Sequence, residues 1–188
     1  MIVIKVGGSL AKSNTLRDCL DKIGKKYPGK QLVIVPGGGA FAEQVRLAQQ
    51  QFQFDEQIAH EMAILAMQQM ALLFKGLKPE FIVAHSLAAI LAGSTTETII
   101  IWSPDIEELN NAGIEASWDI SSDSLSAWLA KKLLATELIL VKSAIIKPDL
   151  SLQQLAEKNI IDKAFADFVA DAEFKLHIIN QAMVSPGF

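Results

Sequence analysis

Ile2-Val3-Ile4-Lys5-Val6-Gly7-Gly8-Ser9-Leu10 is the stretch that decides the fold, because a β-branched strand runs straight into a glycine pair and then a helix. Lys5 interrupts the apolar run. In a buried parallel strand an unpaired ammonium is expensive enough to demand an anionic partner. Gly7 and Gly8 lack a Cβ, so their N–H groups can approach a phosphate closely, and the following helix adds its positive end. Gln31-Leu32-Val33-Ile34-Val35-Pro36-Gly37-Gly38-Gly39 repeats the device. Glycines at such turns also serve tight geometry alone, and neither loop has the spacing of a Walker or dinucleotide motif. Two copies, with a lysine inside the first strand, are the more specific signal and predict two anionic groups held face to face.

Outward from these loops, strands and amphipathic helices alternate. The spacing predicts a helix over Thr15–Lys26 with Leu16, Cys19, Leu20 and Ile23 inward, a strand over 32–35, and a helix over 40–51. In the last, Phe41, Val45 and Ala48 share one face and Arg46 is solvated on the other. Asp55 is the expected N-cap of a long helix that carries Ile58, Met62, Leu65, Ala66, Met70 and Leu73 at helical spacing. Its apolar positions exceed one stripe, which calls for cover on two sides and predicts a homodimer. His60 on this helix either packs or reaches a substrate. Short strands over 81–84 and 98–102 flank a helix over 87–92, and the polar segment 105–115 is the best place for a lobe boundary.

The second informative stretch is Ser117-Trp118-Asp119-Ile120-Ser121-Ser122-Asp123-Ser124, followed by a helix over 125–134 and a strand over Glu137–Lys142. Ser121, Ser122 or Asp123 would cap the helix. Capping does not explain two aspartates four apart beside a tryptophan. Asp123, near lysines from the strand ends, would orient them while ionised, the electrostatic arrangement that phosphoryl transfer needs. Leu138-Ile139-Leu140-Val141-Lys142-Ser143 repeats the opening pattern of an apolar strand ending in lysine. A Pro148-Asp149 turn, a helix start at Ser151, a helix over 160–172 and a last strand over 175–179 complete the chain. The pattern specifies an α/β fold: a three-layer α/β/α sandwich with a mainly parallel central sheet. Both glycine loops are then expected at the C-terminal ends of neighbouring strands, facing one cleft.

The chain of 188 residues suits one large domain or two small lobes. Hydrophobic residues make up 51% of it, yet no apolar run reaches the roughly 18 residues of a membrane span. The first strand opens without a secretory pattern, so a cytoplasmic location is expected. Cys19 is the sole cysteine and is expected to be inert; no Cys/His cluster suggests a metal site. A net charge of −4 argues against nucleic acid or an anionic membrane as the main partner, so phosphate recognition must be local.

At residues 2–46 and 117–143 the chain resembles the amino acid kinase superfamily, which includes acetylglutamate, uridylate and aspartate kinases. The resemblance implies that Lys5 touches the transferring phosphoryl and that Gly7, Gly8 and Ser9 form the loop beside it. It implies that Gly37, Gly38 and Gly39 face the acceptor substrate, that Asp123 is the family aspartate before the nucleotide-lobe helix, and that Asp119 contacts the acceptor. Lys142 matches the lysine ending the corresponding strand in uridylate-type members, with Ser143 next to it. The lobes implied are 1–118 for the acceptor and a short 119–188 for nucleotide, together one compact unit. Ser143-Ala144-Ile145-Ile146 stands where the family has an Asp-Val-Asp/Ser-Gly turn, and Asp167 where it places a second phosphate lysine, with Lys147 or Lys163 as substitutes. Within the superfamily the chain looks most like the small aminomethyl-furanmethanol phosphate kinase-like members linked to one-carbon cofactor synthesis. The resemblance thus implies ATP, Mg²⁺ and a small anionic acceptor that needs no general base. The alternative is a non-catalytic member that binds a nucleotide or oxyanion.

Overall fold

The computed structural model describes residues 1–12, 15–147 and 149–184. Among them six strands, β1 (Ile2–Val6), β2 (Leu32–Pro36), β3 (Ile82–Ala84), β4 (Ile99–Trp102), β5 (Glu137–Lys142) and β6 (Lys175–Asn180), form one sheet. Its order is β3-β4-β2-β1-β5-β6, and every neighbouring pair is parallel. Parallel neighbours need crossover connections, which places helices over both faces. These are α1 (Thr15–Lys26), α2 (Gly39–Phe52), α3 (Glu56–Leu77), α4 (Leu87–Gly93), α5 (Ile106–Asn111), α6 (Ser122–Lys132), α7 (Leu152–Glu157) and α8 (Phe165–Val169). The three-layer α/β/α expectation is met.

Strand alternation sorts the core into two clusters. Ile2, Ile4 and Val6 pack with Ile34, Ile101, Ile139 and Val141 against Leu16, Leu20 and Ile23 of α1. Val3 packs with Val33, Val35, Ile100, Leu138 and Leu140 against Leu125 and Leu129 of α6 and Phe165 of α8. Alternation gives Lys5 the same side as Val3, and the β1–β5 register sets Lys5 opposite Leu140. Lys142, two residues beyond Leu140, therefore shares that face. Cys19 is buried in the α1 cluster, and burial pushes its thiol up to about 11, so it stays protonated.

Two of the expected helices are corrected. The element after β1 is a short 3₁₀ turn, Gly8–Lys12, so the first glycine loop has no α-helix N-terminus of its own. Consecutive Gly and Ser are poor helix formers, and the α-helix starts only at Thr15. The helix expected over 160–172 shrinks to α8, because residues 159–163 form a loop: Asn159 takes φ 53° and the Asp162 side chain reaches across to α6. The polar segment 105–115 contains α5, capped by Asp105 and anchored by buried Leu109.

Phe41 is exposed, and Val45 is the buried residue of α2. On α3 the inward seam is Ala59, Ile64, Met67, Met70, Ala71 and Phe74, whereas Ile58, Leu65, Leu72 and Leu73 face outward. Apolar side chains occupy both phases of this helix, so spacing alone could not tell which phase meets the sheet. Asp55 caps it as expected, accepting from the Ile58 N–H at 2.8 Å. Pro148 of the expected turn lies outside the described residues.

Candidate active site

The centre of the site is a buried carboxylate held between two ammoniums. Asp123 Oδ1 lies 2.8 Å from Lys5 Nζ, and its Oδ2 accepts a hydrogen bond of 2.5 Å from Lys142 Nζ. All three groups are less than a tenth exposed. Neighbouring parallel strands supply the lysines, and the first turn of α6, packed beneath them, supplies the aspartate. Burial alone would raise the Asp123 carboxyl, but the two lysines overbalance it and hold it below the ordinary carboxylate range. Burial, with repulsion from Lys5, drops Lys142 from 10.5 to about 8, although Asp123 opposes the change. At neutral pH two ammoniums meet the Asp123 carboxylate, and the Asp162 carboxylate is close enough to bear on Lys142.

The two glycine loops interlock at the ends of β1 and β2. A Cβ on Gly8 would lie 2.3 Å from the Gly39 nitrogen, and one on Gly37 would lie 2.7 Å from the Gly8 nitrogen. No side chain larger than hydrogen fits this crossing. The Gly7 N–H donates to Val141 O and the Gly37 N–H to Val6 O, which fixes the loops to the sheet. Helix α2 opens at Gly39 with no side-chain cap, so the N–H groups of its first turn border the cavity that Gly37 and Gly38 line. At the rim the Ser9 and Ser143 hydroxyls share a hydrogen bond of 2.9 Å, joining the first loop to the end of β5.

Two cavities meet at this centre. The first, about 260 Å³, is walled by Gly8, Ser9 and Gly37–39, with apolar Ala63, Ile64, Met67 and Leu125 opposite. His60 belongs to this wall; it is 7% exposed and its Nε2 has no hydrogen-bond partner. Burial holds its imidazole below the ordinary histidine range, against the pull of Glu61, which keeps it neutral. The second cavity, about 420 Å³, contains Lys5, Asp123 and Lys142 at its base, with Asp119, Asp162 and Lys163 around them. Asp119 pairs with Lys163 at 3.0 Å. Arg46, Trp118 and Ser121 line both cavities.

Set against known proteins, residues 1–144 match the family described as "Amino acid kinase family", well over half of the chain. The chain belongs to the amino acid kinase family. A [5-(aminomethyl)furan-3-yl]methyl phosphate kinase from Methanocaldococcus jannaschii is 32% identical over 142 residues. That match takes in 74% of this chain and 64% of the relative, so the chain spans less than two thirds of that protein's length. The fold also superposes on uridylate kinase from Archaeoglobus fulgidus with a TM-score of 0.74, at 18% identity, covering 97% of this chain and 93% of that one. Aspartate kinase from Synechocystis superposes with a TM-score of 0.70, at 14% identity, over 99% of this chain and 38% of that one.

Within this amino acid kinase fold, Lys5, Asp123 and Lys142 are brought together as the residue pattern suggested. Gly8, Ser9 and the second loop line one cavity; Gly7 supports from behind. Asp119 lines the lysine cavity rather than the glycine one. Of the two substitutes for a second phosphate lysine, Lys163 lines the lysine cavity.

Two residues were missed. Arg46 is exposed, as expected, but it also stacks on Trp118 with its guanidinium carbon 3.9 Å from the ring centroid. Gln49, three residues on along α2, accepts from the Trp118 indole N–H at 2.6 Å, a contact that no local pattern signals. Asp162 caps α6 from outside: its carboxylate accepts from the Ser121 and Ser124 N–H groups at 2.8 and 3.0 Å and from both hydroxyls. None of Ser121, Ser122 and Asp123 caps α6 with its own side chain. Burial and the nearby Asp123 raise the Asp162 carboxyl, opposed by these hydrogen bonds. No local pattern foretells a cap delivered from about forty residues downstream.

Proposed function

We propose that the protein is a kinase that transfers the γ-phosphoryl group of ATP to a small anionic acceptor, a phosphate monoester or carboxylate. The observation that carries this reading is Asp123 held between Lys5 and Lys142 at the base of a cavity beside two interlocked glycine loops. The ammoniums neutralise charge that spreads over the transferring phosphoryl oxygens, and Asp123 fixes where they stand. The amides of the two loops and His60 hold the acceptor in the first cavity, and Ser9, Ser143 and Lys163 attend the donor phosphates. An acceptor that is already anionic attacks without giving up a proton, so alignment and charge suffice and no base is required.

The paired lysines at the base of one cavity and the loop amides lining the other suit a polyphosphate. Among the described residues no group of three or more His, Cys, Asp or Glu is placed to hold a metal ion, and Asp123 and Asp162 are already engaged. Mg²⁺ would therefore enter on the nucleotide, where it supplies charge neutralisation between the phosphates. The furan-kinase relative makes an aminomethyl-furanmethanol phosphate, and hence a place in one-carbon cofactor synthesis, the first acceptor to try. We assign the reaction to the cytoplasm, where ATP is supplied; no described helix is long and apolar enough to cross a membrane. The outward Ile58, Leu65 and Leu72 stripe of α3 supports a homodimer. A coupled ADP-release assay over phosphomonoesters and carboxylates tests the reading. Acceptor-dependent ADP release is expected; binding of ATP with no release for any acceptor would make the chain a silent nucleotide- or oxyanion-binding member.

A further inference from the structure

Arg46 stands where the two cavities meet. Its guanidinium carbon sits over the Trp118 ring, 3.9 Å from the centroid, and Trp118 is itself anchored by the hydrogen bond from its indole N–H to Gln49. Arg46 and Gln49 are three residues apart on α2, so one helix face positions both the cation and its platform. Stacking occupies the face of a guanidinium and leaves its in-plane N–H groups available. Among the described residues no carboxylate forms an ion pair with Arg46, although Glu43 lies one turn before it on the same helix and also lines the first cavity. An exposed cation stacked on a ring, with no ion pair among the described residues, on the wall common to a glycine-lined cavity and a lysine-lined cavity is placed to meet an anion at their junction.

We propose that Arg46, on its Trp118 platform, clamps the phosphate of the acceptor and sets it between the two cavities, facing Lys5 and Lys142. This deepens the kinase reading and rests on it: Arg46 becomes the residue that selects a phosphate monoester and aligns its oxygen for attack. It belongs to α2, the helix that opens at the acceptor-side glycine loop, which assigns the clamped phosphate to the acceptor rather than to the nucleotide. The in-plane fork matches two phosphate oxygens, whereas a lysine at this position would offer a point charge and no flat face for the indole.

The test uses phenyl phosphate as a simple monoester and MgADP as the nucleotide, each titrated against the whole chain by calorimetry and by tryptophan emission. Trp102 and Trp128 are buried in the core, so the emission that responds to a ligand at Arg46 is that of Trp118. Wild type is expected to bind phenyl phosphate with a change in emission. Arg46→Ala is expected to weaken that binding roughly 10- to 100-fold, the range of a lost charge-assisted bidentate contact, with MgADP affinity and melting temperature unchanged. Arg46→Lys should recover only part of the loss, and Trp118→Leu, which leaves the charge but removes the platform, should weaken phenyl phosphate while sparing MgADP. Equal phenyl phosphate affinity in wild type and Arg46→Ala overturns the proposal, as does a loss confined to MgADP. These are binding measurements, so a chain that releases no ADP but loses phenyl phosphate with Arg46→Ala refutes the kinase reading and keeps the clamp. A chain that turns over while Arg46→Ala keeps its acceptor KM refutes the clamp and keeps the kinase.

Discussion

Replacing Asp123 by Asn removes one negative charge from a buried cluster and changes almost nothing in size. Lys5, at 2.8 Å, and Lys142, at 2.5 Å, would then face each other across a neutral amide. Breaking a buried ion pair by removing one partner costs about 3–5 kcal/mol, because the remaining charge stays desolvated. Lys142 relieves part of that by shedding its proton: its value is already only about 8, and the carboxylate is what holds it up. A net loss near the lower figure corresponds to a melting temperature lower by on the order of 10 °C for a chain of this size.

Turnover should fall as well. Without the carboxylate Lys142 is largely neutral near neutral pH, and one of two preorganised charges disappears from the transferring phosphoryl, a drop of roughly 10²- to 10³-fold. The pH profile separates charge from packing. In wild type kcat/KM for ATP should decline as pH rises through about 8, since Lys142 loses its proton there. In Asp123→Asn the decline should begin at lower pH, and acidifying should restore part of the rate. Thermal melts and pH–rate profiles of both proteins are the assay. An Asn variant that melts with wild type and keeps its rate and profile would return Asp123 to a purely structural place in α6.

Other outcomes follow from the same geometry. Gly8→Ala drives a methyl group into the Gly39 backbone at 2.3 Å, so the loops must part; a loss of about 1–3 kcal/mol and a raised KM for acceptor are expected in melts and kinetics. Asp162→Ala leaves four donors at the start of α6 without their acceptor and should cost about 2 kcal/mol by urea unfolding, mostly through the lost cap. Leu65→Glu, on the outward stripe of α3, should convert a dimer to a folded monomer in sedimentation, whereas Met70→Glu, with Met70 1% exposed against Gly39, should unfold the chain.

The alternation of apolar strands with helices made the sheet legible, since a parallel sheet buried on both faces leaves runs such as Ile2–Val6 and Glu137–Lys142. Lys5 and Lys142 were legible because a cation at a buried strand end is too costly to stand there without an anion, and Asp123 because it exceeded what capping required. Arg46 was not, because a polar residue on an amphipathic helix reads as solvated until the ring it stacks on is known. Asp162 was hidden for a different reason: its hydrogen bonds join a loop to a helix 38 and 41 residues away, and only the tertiary fold creates that contact. The phase of α3 was equally closed to inspection, as leucines and methionines fill both of its faces.

On the proposed reading, Lys5 acts on a phosphoryl group in transit. The most direct measurement follows γ-labelled ATP into the phosphate monoester acceptors, for wild type and Lys5→Ala side by side with MgATP binding. Label is expected in the acceptor with wild type, falling roughly 10²- to 10³-fold in Lys5→Ala while nucleotide affinity changes little, because a contact that tightens in the transition state governs kcat more than binding. ATP bound by wild type with no label passed to any acceptor, or label passed equally by Lys5→Ala, would contradict it.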